Sequence, residues 1–139
     1  MEAVSRGASL HGGHVIGVTA PSLFPGRVGA NHYVAEEIEA TGLAERIGLM
    51  TEMATGAVAL TGSIGTITEL AVAWNLNHIA RSSFRPGVPT VAVGREWKPL
   101  LSSIIGQGAS AADVHSAETV EEGVAWVTTM IHRVQMVPR

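Results

Sequence analysis

The segment from residue 57 to residue 74 contains the residues best suited to chemistry. An apolar run, AVALT at 57–61, leads through a turn with glycines at 62 and 65 into a helical pattern over 66–81. This order predicts a buried strand, a turn and a helix. The free N–H groups of Gly65, Thr66 and Ile67, together with the positive end of the helix dipole, would favour an anion there. Phosphate is the natural ligand for such a turn.

The same turn also has a purely structural interpretation. Thr66 and Glu69 have the spacing of a capping box, in which Glu69 folds back onto the backbone at the start of the helix. Glycines in a strand-to-helix turn need no ligand either. From the pattern alone, both interpretations stay open.

The rest of the chain alternates between strand-like and helix-like segments, which predicts the elements that must position this turn. We expect helices over 1–11, 43–54, 66–81, 96–107 and 119–134, and strands over 14–18, 57–61, 89–94 and 113–116. Residues 19–32 form a long loop, and 33–41 fit either an exposed strand or a short helix. The alternation predicts an α/β fold, a Rossmann-like parallel sheet covered by helices on both faces. Such a domain normally opens with a strand, so we expect its first βα unit to be missing.

Length and composition narrow the class of protein. The 139 residues predict a single domain over 1–139, and a net charge of −3 argues against nucleic-acid binding. Cysteine is absent and the six histidines lack metal-ligand spacing, so we predict neither a metal nor a cofactor. No apolar run reaches the roughly 18 residues of a membrane helix. Without an apolar leader segment, we expect a cytoplasmic protein with no membrane contact.

Two motifs resemble those of a known family. TGSIGTITE at 61–69 is similar to the P-G-G-x-G-T-x-x-E motif of the LONELY GUY (LOG) family, long labelled lysine decarboxylase-like, within a Rossmann-type nucleotide-binding superfamily. LAERIGLM at 43–50 matches the second motif of that family, M-x-x-R-K-x-x-M, at Arg46 and Met50. The resemblance extends over nearly the whole chain.

The resemblance implies an enzyme that hydrolyses the N-glycosidic bond of an AMP-like nucleoside 5′-monophosphate. It assigns the 5′-phosphate to Gly62, Ser63, Gly65 and Thr66. It gives catalytic roles to Glu69, which would stabilise a cationic sugar or activate water, and to Arg46. An oxocarbenium-like transition state does call for a nearby carboxylate, and an arginine can orient it or pair with phosphate.

The resemblance also implies a homodimer with its sites at the interface. Apolar side chains on two helices support that expectation, since closed two-fold pairing is the commonest way to bury such stripes. They are Leu43, Ile47, Met50, Leu70 and Trp74. We expect Trp74, Trp97 and Trp126 to pack in the core or at an interface. Arg27, in the long loop, is an additional candidate for phosphate contact.

Among the departures from the family motifs, Thr61 replaces proline, Ser63 replaces glycine and Ile47 replaces lysine. The resemblance also implies that the first strand and glycine-rich loop of the family are missing before residue 1. These differences favour two alternatives, a non-catalytic carrier of a nucleotide or of molybdenum cofactor in the same superfamily, or an inert fragment. The retained Arg46 and Glu69 favour the hydrolase.

Overall fold

The computed structural model describes residues 2–26 and 29–136. The described residues belong to two compact units, Met1–Met53 and Ala54–Arg139. The elements, in chain order, are α1 (Glu2–Leu10), β1 (Ile16–Thr19), a 3₁₀ turn (Pro21–Leu23), β2 (Glu36–Glu39), α2 (Leu43–Met53), β3 (Ala57–Leu60), α3 (Ile64–Ser82), β4 (Thr90–Val93), α4 (Trp97–Gly106), β5 (His115–Ala117) and α5 (Val120–Gln135).

The first unit contains a two-stranded parallel sheet. Strands β1 and β2 pair in register from Ile16 opposite Glu36 to Thr19 opposite Glu39. The ambiguous segment 33–41 is therefore a strand at its centre, and its three glutamates are exposed. A side-chain hydrogen bond also joins the two strands, because the Thr19 hydroxyl of β1 donates to the Glu37 carboxylate of β2 at 2.7 Å. The loop candidate Arg27 lies outside the described residues.

The second unit contains a three-stranded parallel sheet with β4 in the centre. All four residues of β4 are buried. Ala92 faces a cluster from α3 and α4, whereas Val91 and Val93 face the opposite side, against Val127 of α5. Helices therefore cover both faces of this sheet. The cluster around Ala92 contains Leu70, Trp74, Trp97, Leu101 and Val114.

These observations confirm the predicted α/β class with parallel sheets and flanking helices. One strand differs from expectation. Although β3 had the clearest apolar run, it lies at a sheet edge, and Val58 is 41% exposed. The single-domain assignment stays a prediction.

A polar network lies inside the second unit. The side-chain amide of Asn77 donates to the carbonyl oxygens of Val88 (2.9 Å) and Asp113 (2.9 Å), and its oxygen accepts from the Val88 amide (2.8 Å). Asn77 is buried, and its hydrogen bonds tie α3 to the Val88 segment and to the Asp113 segment.

The buried carboxylate of Asp113 belongs to the same region. The Arg81 guanidinium makes two hydrogen bonds to it, at 2.8 and 3.0 Å. These bonds hold the pKa of Asp113 below its ordinary value, because they favour the charged carboxylate. The pair therefore anchors α3 to the segment that leads into β5.

Most of the apolar residues that were expected to face a partner subunit are buried inside the protein instead. Ile47, Leu70 and Trp74 are buried within the chain itself. Trp74 and Trp97 are core residues, as predicted, and Trp126 stacks on the ring of His115 at 4.4 Å. The exposed apolar side chains of α3 are instead Ile64, Leu76 and Ile79.

Candidate functional site

The turn after β3 leads directly into a helix N-terminus. Helix α3 begins at Ile64, two residues earlier than predicted, with Ser63 as its N-cap residue in an extended conformation. The first helical hydrogen bond runs from the Ile67 amide to the Ser63 carbonyl oxygen (3.2 Å). The amide of Ile67 is thus already used, contrary to expectation. The N–H groups that precede this bond belong to Ile64, Gly65 and Thr66.

The predicted capping box at Thr66 and Glu69 is wrong. Because the helix starts at Ile64, Thr66 is its third residue and Glu69 its sixth, well beyond the capping positions. The Ser63 hydroxyl makes no capping hydrogen bond either. This N-terminus therefore presents backbone amides and a hydroxyl that local capping does not use.

Another helix shows what a capped N-terminus looks like in this protein. At the start of α5, the Thr119 hydroxyl oxygen accepts a hydrogen bond from the Glu122 amide (3.2 Å). The Glu122 carboxylate in turn accepts from the Glu118 amide (2.9 Å). Two orphan amides are satisfied there by side chains, as in a capping box. The start of α3 lacks this arrangement.

Position 62 has no room for a side chain, because the side chain of Thr66 fills the space beside it. A Cβ atom at Gly62 would overlap the Thr66 hydroxyl and lie 2.9 Å from Thr66 Cβ. The Thr66 side chain therefore packs onto the turn and holds it against the first turn of the helix. Gly65 differs, because a Cβ there would meet only the Ser63 hydroxyl oxygen, at 3.9 Å. Gly62 and Ser63 are exposed, whereas Gly65 and Thr66 are half-buried.

Glu69 lies on the same face of α3 as this turn. It follows Gly65 by four residues and Thr66 by three, the spacings that place helical side chains next to one another. Its side chain is half-buried. The structure therefore brings Gly62, Ser63, Gly65, Thr66 and Glu69 together on one turn and one helix face.

Arg46 belongs to the other unit, in α2. Its Nε donates to the carbonyl oxygen of Val18 (2.9 Å), near the carboxyl end of β1. The residue is half-buried, and this bond fixes the guanidinium relative to its own sheet.

One protein-family model matches nearly the whole chain, including the residues of this turn. The family model described as "Possible lysine decarboxylase" matches residues 1–136. The chain belongs to this family. A comparison with curated proteins found no match. The LOG resemblance of this lysine decarboxylase-like protein is therefore confirmed at the level of the family.

Other features of this lysine decarboxylase-like protein lie away from the turn. A cavity of about 240 Å³ lies between α3 and the end of α4. Its lining includes Trp74, His78 and Ile104 but none of the predicted site residues.

Across 2–26 and 29–136, no three His, Asp or Glu side chains are grouped as metal ligands would be. In that same part of the chain, no helix has the length and apolar character needed to cross a membrane.

Two polar residues beside the turn, Thr61 and Glu96, were not predicted as site residues. Thr61 ends the β3 segment, and its hydroxyl lies 3.4 Å from the carboxylate of Glu96, which follows β4. A usable signal was present, because polar residues directly after neighbouring parallel strands meet at the edge where ligands bind in open α/β sheets.

Proposed function

We propose that this protein binds a nucleoside 5′-monophosphate at the 62–66 turn and hydrolyses its N-glycosidic bond. The observation that carries the proposal is the uncapped N-terminus of α3, directly after a parallel strand and within the segment that resembles the LOG motif. In this proposal the amides of Ile64, Gly65 and Thr66 and the Ser63 hydroxyl hold the phosphate. Backbone N–H groups and the helix dipole both favour a dianion at that position.

Glu69 would act on the sugar rather than on the phosphate. Cleavage of an N-glycosidic bond builds positive charge on the ribose, and a carboxylate stabilises that charge or activates the attacking water. Glu69 lies one helical turn beyond the proposed phosphate contacts. We propose a catalytic role for Arg46 as well, on the resemblance of its motif to that of the LOG family.

The proposal makes a direct prediction about nucleotide binding. AMP should raise the melting temperature, because a ligand that binds only the native state stabilises it, by roughly 2.7 kcal/mol at a hundredfold excess over Kd. Ser63→Ala should weaken AMP binding about tenfold with little change in the stability of the free protein, since the hydroxyl caps nothing. Thermal melts with increasing AMP measure both quantities.

A matched variant separates capping from binding. Thr119→Ala removes a hydroxyl that does cap its helix, so it should cost about 1 kcal/mol of stability and leave AMP affinity unchanged. The phosphate site is contradicted by an AMP titration to millimolar concentration that leaves the melting temperature of the wild type unchanged. Equal AMP affinity in the wild type and Ser63→Ala would remove the hydroxyl from the site.

A second candidate function is a carrier that binds a nucleotide or molybdenum cofactor without reacting. The observation that favours it is Ile47, which is buried and apolar where the LOG motif has a lysine. Without that lysine, the proposed site has one positive charge fewer than the LOG motif would give it, and it would bind the phosphate dianion less strongly. Base release from bound AMP separates the two functions, because a carrier binds AMP and leaves it intact.

We also propose a homodimer. Helix α3 carries three large exposed apolar side chains, Ile64, Leu76 and Ile79, which a partner subunit would remove from water. Light scattering at tens of micromolar protein should return twice the chain mass of 14.5 kDa. A monomer mass at that concentration contradicts the proposal.

A further inference from the structure

Glu96 stands at the start of a helix, but its side chain does not cap that helix. It is the N-cap residue of α4, and its side chain makes no capping hydrogen bond. Instead the carboxylate reaches the hydroxyl of Thr61, 35 residues earlier in the chain, at 3.4 Å. The side chain is therefore directed away from its own helix and toward the carboxyl end of β3.

The register of the sheet explains how the two residues meet. Leu60 of β3 is paired with Val93 of β4, so Thr61 and Gly94 lie side by side where both strands end. Thr61 directly precedes Gly62, the first residue of the proposed phosphate turn. The carboxylate of Glu96 is thus held next to that turn.

Gly94 keeps the space between these groups open. Its φ angle is +120°, a conformation that L side chains rarely adopt. A Cβ at this position would lie 2.6 Å from the Glu96 carboxylate and 2.8 Å from the Thr61 hydroxyl oxygen. A side chain at position 94 would therefore displace the carboxylate from β3.

The cations near Glu96 are engaged by a different carboxylate. Arg95 and Lys98 both pair with Glu118, at 2.9 and 2.6 Å. These two partners keep the pKa of Glu118 below its ordinary value. In the part of the chain that the structure describes, no ion pair is formed by Glu96. Its negative charge is available for a neutral hydrogen-bond donor.

We propose that Glu96 binds the ribose 2′-hydroxyl of the nucleotide, an inference that rests on the proposed function. A carboxylate accepts hydrogen bonds and repels a second anion, so beside a phosphate turn it suits the uncharged hydroxyls of the same ligand. Carboxylates bind ribose hydroxyls in this way in other Rossmann-type sheets. Thr61 acts as a positioning residue, because its hydroxyl donates to the carboxylate.

The test compares AMP with 2′-deoxy-AMP by titration calorimetry. The wild type should bind AMP about tenfold more tightly, the usual effect of one hydrogen bond to a charged group. Glu96→Gln should reduce this preference to below about threefold, and affinity for inorganic phosphate should stay the same or rise as a negative charge is removed. Thr61→Val should reduce the preference by a smaller factor. Glu121→Gln, an exposed carboxylate in the first turn of α5, is the matched control and should keep the full preference.

The outcomes separate this inference from the proposed function. If the wild type binds both nucleotides equally, or Glu96→Gln keeps the wild-type preference, the ribose contact is overturned while the phosphate site stands. If Glu96→Gln instead loses discrimination between AMP and inosine monophosphate, the carboxylate faces the base, which also overturns it. If neither nucleotide nor phosphate binds, the proposed function and this inference fail together.

Discussion

Glu69→Gln should lower the rate of base release from AMP by about a hundredfold or more, with AMP affinity changed by only a few-fold. Glutamine has the shape of glutamate but no charge, so it cannot stabilise a developing positive sugar or accept the proton of the attacking water. The helix begins at Ile64, so a capping role is not what the substitution removes. Steady-state assays on a panel of nucleoside monophosphates measure the rate, and calorimetry measures the affinity.

Glu52→Gln provides the control for this experiment. Glu52 is an exposed carboxylate in the last turn of α2, and its neutralisation should leave the rate unchanged. Full activity in Glu69→Gln would refute the catalytic role of Glu69. A wild type that binds AMP and releases no base would instead support the carrier.

The largest change in stability is expected at Asn77. Asn77→Ala should lower the free energy of unfolding by about 3 kcal/mol, because it leaves buried polar groups without partners at roughly 1–3 kcal/mol each. The Val88 amide and the Asp113 carbonyl both lose a hydrogen bond, whereas the Val88 carbonyl keeps its bond from the Thr90 hydroxyl. Urea denaturation followed by circular dichroism measures the difference.

The neighbouring asparagine serves as the matched control. Asn75 lies two residues earlier on α3 and is exposed, so Asn75→Ala should change stability by no more than about 0.5 kcal/mol. Equal effects of the two substitutions would show that the network does not hold the second unit together. A loss below about 1 kcal/mol at Asn77 would lead to the same conclusion.

Local pattern was enough to predict most elements and the position of the candidate site. Helix α2 was predicted at 43–54 and spans Leu43–Met53, because its apolar residues recur at helical spacing. The strand, glycine turn and helix at 57–81 were also predicted, since each has its own short-range signal. Five of the six predicted site residues lie on this turn and on the helix face beyond it.

Features that depend on distant partners could not be predicted in this way. Both Ser63 and Thr66 are suitable N-cap residues by type, and only the backbone geometry shows that Ser63 has that role. The burial of Asn77 depends on partners that lie 11 to 36 residues away in the chain, which local pattern does not reveal. The exposure of Val58 follows from the edge position of β3, which strand order decides and composition does not.

The amino-acid sequence by itself thus determined the family, the α/β class and the strand-turn-helix segment of the candidate site, because each follows from motifs and periodicity along the chain and needs no knowledge of distant contacts. The tertiary structure decided where α3 starts, which polar groups are buried and which carboxylate stands beside the turn. Glu96 shows the reason. Its contact with Thr61 exists only because parallel pairing brings the ends of β3 and β4 together across 35 residues of chain.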